Sequence, residues 1–153
     1  MPSFTVERGA FAPVTTNDNI TLDANTAGDV MKVTAVGLGG MLTTSTGYRT
    51  RWTRPTTAGS GIFTALTEGD HSPGYATPLG RAGTFATAPT LAGDPAGNLL
   101  ALAWNAHGGL AYIALPLASP WMIVNGLAQA QISCRNTDGT NSNGSNYHMT
   151  WEE

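Results

Sequence analysis

Apolar side chains recur at every second position along much of this 153-residue chain, and no stretch of eleven or more residues carries them at helical spacing. Successive side chains of a strand point to opposite faces of a sheet, so this period asks for strands with one buried face. Gly47 to Arg54 (GYRTRWTR) is the sharpest case, with Tyr48, Thr50 and Trp52 on one face, Arg49, Arg51 and Thr53 on the other, and Pro55 as its end. Phe4 and Val6 alternate with Thr5 and Glu7, and Ile20 and Leu22 follow the turn-forming Asn17-Asp18-Asn19. Val30, Lys32, Thr34 and Val36 oppose Met31, Val33 and Ala35, after which Gly37, Gly39 and Gly40 predict a bend. Leu100 to Trp104, Leu110 to Leu117 and Trp121 to Val124 read as core strands. Further on, Ala128, Ala130, Ile132 and Cys134 share one face and Gln129, Gln131 and Ser133 the other, with a short helix through Leu127 to Gln131 as the alternative. Arg135 to Asn146 is a turn by its chemistry, and Tyr147, Met149 and Trp151 alternate with His148 and Thr150. Between Thr56 and Asp94 the composition predicts long loops and short strands.

About eight to ten short strands in a single domain spanning residues 1–153 predict an all-β fold. A two-sheet antiparallel sandwich is expected, with a jelly roll the best single expectation. A chain this long buries enough of its unfolded surface, about 68 to 70%, to fold without a staple. Its surface is unusual: charged residues make up 11%, against about 25% in ordinary domains, while threonine supplies 22 positions and lysine one. Seven basic residues face ten acidic ones with no basic run, which argues against nucleic acid as a partner. A single cysteine, Cys134, excludes an internal disulfide framework and a cysteine-based zinc site, and is read as a small buried apolar residue. The apolar runs fall well short of the ~20 residues of a spanning helix, so no membrane partner is expected. Met1 to Gly9 carries Glu7 and Arg8 where a secretory leader would be apolar, which predicts synthesis in a cytoplasm without a cleaved leader.

Signatures of chemistry are absent or weak. Ser45, Ser60 and Ser145 lack the Gly-x-Ser-x-Gly frame of a nucleophile elbow, and Lys32 precedes the glycine cluster where a phosphate cradle needs it to follow. Glu68, Asp70 and His71 place three possible metal ligands within four residues, but Pro73 and Gly74 favour a solvated loop. Asn136, Asp138 and Thr140 alternate as calcium ligands do, without the closing glutamate. His107 and His148 have no fixed partner in sequence. No catalytic residue, cofactor or metal is therefore expected. The remaining cluster is Arg49, Arg51 and Arg54 beside Tyr48 and Trp52, residue types enriched where proteins meet proteins. These five are the candidate protein interface. The competing reading turns the arginines to solvent and the two aromatics to the core.

The run Gly37 to Arg54 (GLGGMLTTSTGYRTRWTR), the segment Ala103 to Gly109 (AWNAHGG), the Asn/Gly/Ser-rich turn from Asn136 and the lysine-poor, Thr/Gly/Ala-rich composition together resemble small virion proteins of tailed bacteriophages. The resemblance is to the cement or decoration proteins on the outside of icosahedral heads. It implies a homodimer or homotrimer at the outer capsid surface, bridging subunits of the major capsid protein, with no enzymatic activity. A tail fibre or receptor-binding domain, with loops and an exposed Tyr or Trp stacking on host sugars, is the alternative. A polysaccharide hydrolase is the third reading. It would need two carboxylates converging about 5 to 10 Å apart, and no spacing identifies such a pair.

Overall fold

A computed structural model describes residues 2–11, 15–24, 30–71, 78–116, 118, 120–124, 130–138 and 144–153. Among these residues there are fourteen strands and no helix. In chain order the strands are β1 (Ser3–Phe11), β2 (Ile20–Asp23), β3 (Val30–Gly40), β4 (Gly47–Thr53), β5 (Pro55–Thr57), β6 (Ser60–Ala65) and β7 (Glu68–Asp70). The second half contributes β8 (Arg81–Thr87), β9 (Thr90–Leu91), β10 (Asn98–Asn105), β11 (Leu110–Ala114), β12 (Trp121–Val124), β13 (Gln131–Asp138) and β14 (Ser145–Glu152).

Twelve of the strands form the expected two-sheet antiparallel sandwich, and β5 and β9 pair in a separate two-stranded sheet. One sheet runs β11-β3-β14-β1-β7, with β12 also paired to β3, and the other runs β10-β4-β13-β2-β8-β6. Strands adjacent in sequence sit in opposite layers: β1 and β2, β3 and β4, β10 and β11, β13 and β14 each divide between the two sheets. The inner faces share one core, in which Phe4, Met31, Val33, Met149 and Trp151 of the first sheet meet Ile20, Leu22, Trp52, Ile132 and Cys134 of the second. Trp52 and Trp151 are completely buried, and Phe4 stacks on Trp151 with ring centres 5.8 Å apart. The alternation that predicted β1, β4 and β14 is the alternation of their buried positions.

Two expectations fail within β3. No bend occurs at its glycines, because β3 is an unbroken eleven-residue strand ending at Gly40. The irregularity lies earlier: Thr150 pairs with Ala35 but Trp151 pairs with Val33, so Thr34 is an extra residue in the ladder. A bulge of this kind reverses the parity of the strand. Val36 consequently faces the core with Met31, Val33 and Leu38, where strict alternation had opposed it to Met31 and Val33.

Boundaries also move. Pro55 ends β4 but opens β5, and the turn expected from Arg135 to Asn146 is shorter, since β13 continues to Asp138 and β14 begins at Ser145. Residues 139–143, including Thr140, and 125–129, which hold most of the alternative helix, lie outside the described residues. The segment from β5 to β9 is an insertion between β4 and β10. Its strand β7 pairs with β1 and its strand β8 pairs with β2, so it extends both sheets on the side away from β10 and β11. The rest of it covers the outer face of the second sheet, where Gln131, Ser133, Thr21 and Thr53 are buried although they point away from the core.

Candidate functional site

The covering segment explains where the expected interface residues go. Tyr48 and Trp52 are 3% and 0% exposed, sealed on the inner face of β4, and cannot contact another molecule. The arginines on the opposite face are held by the chain itself. Arg49 forms a two-pronged ion pair with Asp94, its Nη2 donating to Oδ1 at 2.8 Å, and also donates to Thr137 Oγ1 at 3.1 Å. Arg51 donates to the Ala92 carbonyl at 2.9 Å and to Asn98 Oδ1 at 3.1 Å, and Arg135 of the neighbouring strand donates to the Pro89 carbonyl at 3.1 Å. Arg54 is half-buried, and burial pulls its pKa below the ordinary value. Four of the five residues therefore divide between core and internal latch: Tyr48 and Trp52 are in the core, and Arg49 and Arg51 fasten residues 92–98 over the second sheet.

A polar clasp ties the two layers together near Tyr147. The Tyr147 hydroxyl donates across the core to Asn136 Oδ1 at 2.5 Å and lies 3.0 Å from Thr50 Oγ1. Thr50 Oγ1 donates to Asn136 Oδ1 at 2.8 Å and accepts from Trp104 Nε1 at 2.9 Å. Burial pushes the Tyr147 pKa far up, which keeps the phenol protonated as the donor. Burial likewise raises the Asp18 carboxyl, whose Oδ2 accepts from Thr21 Oγ1, and raises the Cys134 thiol, which remains an inert core group.

The metal and acid candidates are dispersed. Glu68 Oε1 accepts from the Ala82 amide at 2.8 Å, the His71 amide donates to the Ser3 carbonyl, and Asn136 is buried in the clasp. Burial raises the Glu68 pKa, with the nearby Glu153 charge adding to the rise and the bond from the Ala82 amide opposing it. Both carboxylates are occupied by backbone amides, Glu153 by those of Leu79 and Gly80 at 2.8 Å each. The pair clamps a loop.

Two surface features are left, and the sequence had marked neither as a site. Along the β10 and β11 side the sandwich is unsealed. Leu100, Leu102 and Trp104 of β10, and Ile113, Leu115 and Trp121 opposite them, pack against the core yet stay only partly buried. β10, β11 and β12 contain no charged residue and no proline, and β10 and β11 end their sheets without a further partner among the described strands. Natural edges are usually blunted by such residues.

The second feature is a cleft of about 200 Å³ on the outer face of the first sheet. Register builds it. Glu7, His148, Gly37 and Tyr112 form one cross-strand row, and Asn146, Gly39 and Leu110 form the next. The glycines leave a trench along β3 with a backbone floor. On one bank Tyr112 is 62% exposed and meets the His148 ring edge to face, with centres 5.7 Å apart. On the other, Asn146 Nδ2 donates to Glu7 Oε1 at 2.7 Å, and His148 Nε2 lies 2.8 Å from Thr150 Oγ1. Burial pulls the His148 imidazole below its ordinary pKa, with Glu7 opposing and His71 adding to the effect. Alternating glycines opposite an aromatic were the available signal. Reading it required the β3 to β11 pairing.

No protein-family model matches the chain, and none of the curated proteins or solved structures matches it significantly.

Proposed function

We propose that this chain is a cement or decoration protein of a tailed bacteriophage, a homodimer or homotrimer that bridges major capsid subunits on the outer surface of the head. The observation that carries this reading is the unsealed, uncharged side formed by β10, β11 and β12. Partly exposed apolar residues at an unguarded sheet edge favour contact with another protein surface. A lysine-poor exterior supports the same reading, since few long charged side chains would have to be immobilised on contact. Each copy touching two capsid subunits gains from effective concentration, so modest interfaces hold firmly together.

We also infer that the sandwich is a jelly roll. Its supports are the ribbon pairings β1 with β14, β2 with β13, β3 with β11 and β4 with β10, rolled so that β14 lies beside β3 and β13 beside β4. The tail fibre or receptor-binding alternative is favoured by one observation, the glycine-floored cleft beside exposed Tyr112.

The test is composition and location in purified virions. A fixed ratio to the major capsid protein, with earlier thermal release of DNA from particles lacking this chain, is the expected result. Density for the chain at the tail alone, in cryo-microscopy of whole particles, would sink the head assignment.

A further inference from the structure

The three glycines of β3 do not have the same cause. A Cβ on Gly40 would stand 2.2 Å from the Ala106 carbonyl oxygen, so packing within the subunit demands glycine there. On Gly37 the nearest atom would be 3.4 Å away and on Gly39 3.6 Å, both ordinary contact distances, and neither residue has a positive φ. Glycine inside a strand costs roughly 0.5 to 1 kcal/mol relative to alanine; Gly37 is buried beneath the touching Tyr112 and His148 rings, which pack over its backbone, whereas Gly39 has no such cover. One recognised cause of a strand glycine is the close approach of another molecule to the backbone. At Gly39 that approach is through the cleft.

We infer that the trench over Gly39 is a binding site for a single pyranose ring of a surface saccharide. The banks suit the two chemistries of a sugar. Tyr112 and Leu110, 62% and 84% exposed, offer an apolar wall for the C–H face of the ring. Across the trench Glu7 is an exposed acceptor, oriented by the Asn146 amide, and His148 adds a largely neutral ring nitrogen system fixed beside Thr150. Adjacent hydroxyls of a pyranose can donate to the carboxylate while the ring carbons lie over Tyr112. The space, about 200 Å³, is below the 300 to 1,000 Å³ of pockets for drug-sized ligands, which restricts the occupant to one ring with the remainder of a glycan outside. One cation-binding or phosphate-binding reading is disfavoured by the site's make-up, because its charged groups are a single carboxylate and no arginine or lysine. The inference does not rest on the head assignment, and it applies to the chain at either virion position.

Gly39→Val supplies the test. Valine is favoured in strands, its Cβ meets nothing closer than 3.6 Å, and its methyls fill the trench. The intact chain, Gly39→Val and Tyr112→Ala are applied to an array of immobilised glucose, galactose, mannose, rhamnose and N-acetylglucosamine together with bacterial polysaccharide fragments, and any ligand found is titrated by calorimetry. Binding by the intact chain, weakened at least tenfold in both variants while the melting temperature does not fall and the solution mass stays unchanged, is the expected result. Absence of binding to every saccharide, or binding that survives Gly39→Val, overturns the inference. Dissociation of an oligomer by Gly39→Val overturns it too, because the trench would then be a seat for a second copy of the chain.

Discussion

Thr50 illustrates how much a buried hydroxyl can hold. Its Oγ1 joins Asn136, Tyr147 and Trp104, so four strands and both layers meet at one atom. Removing one partner of a buried bond costs more than the bond itself contributes, because the remaining group is left without water. Thr50→Val is expected to lower unfolding free energy by about 1 to 3 kcal/mol. Tyr147→Phe, which leaves the Thr50 to Asn136 bond intact, should lose about 0.5 to 1.5 kcal/mol. Urea titrations decide the order, and equal losses would refute the account of Thr50 as the hub. A second residue-scale prediction concerns pH. Arg49 first, and Asn98 after it, hold the Asp94 carboxyl well below the usual carboxylate range. A depressed folded pKa adds stability that is complete above the unfolded value, near 3.9, and disappears as pH falls toward the folded one. The melting temperature of Asp94→Asn should therefore lie below that of the native chain at pH 7, with the gap closing below about pH 4. A gap independent of pH would mean the ion pair contributes nothing.

Among the elements, β3 separates what alternation reveals from what it conceals. The period marked β1, β4 and β14 correctly because the residues it was read from contain no extra residue: β1 bulges only beyond Arg8, and the irregularities beside β4 and β14 lie on their partner strands. It misplaced Val36 because one extra residue at Thr34 reverses parity, and nothing local in Val-Thr-Ala-Val announces that. The glycines misled for a related reason: a strand interior tolerates them when neighbouring strands supply the ladder, so composition alone pointed to a bend. The arginines of β4 were legible as outward-facing. Their partners at Ala92, Asp94 and Asn98 lie 41 to 47 residues further along and could not be foreseen without the fold. The cleft lay hidden in the same way, since His148, Gly37 and Tyr112 come from three distant strands. Within β3 the two kinds of glycine predict opposite outcomes. Gly40→Ala, which meets backbone at 2.2 Å, should destabilise by about 1 to 3 kcal/mol. Gly39→Ala should be neutral or stabilising by up to about 1 kcal/mol. Thermal melts of the two variants provide the comparison, and a destabilised Gly39→Ala would show that packing, and no ligand, keeps that glycine.

For the molecule as a whole, the two outer faces differ in kind. One is covered by the insertion and latched by arginines, and the other carries the cleft. Between them runs the unsealed side, which the assembly reading assigns to contact with other subunits. Ala103 and Ala114 are exposed there, on β10 and β11. A lysine at either point is the kind of charge by which edges are protected from pairing. Ala103→Lys and Ala114→Lys are expected to convert an oligomer to a monomer, read by light scattering, with little change in melting temperature. A native chain that is already monomeric at high concentration would contradict the proposed dimer or trimer.

The pairing of β1 with β14 has a further consequence for how the protein is made. Thr5 and Thr150 share a hydrogen bond across 145 residues of sequence, and β14 also supplies the neighbour of β3. On the ribosome, every earlier strand must wait for β14 before the first sheet has its centre. Contacts this distant in sequence are associated with folding in milliseconds to seconds. Until then the uncharged strands β10 to β12 are open to neighbouring nascent chains, so high-level expression in the absence of chaperones should yield inclusion bodies in preference to half-folded soluble protein.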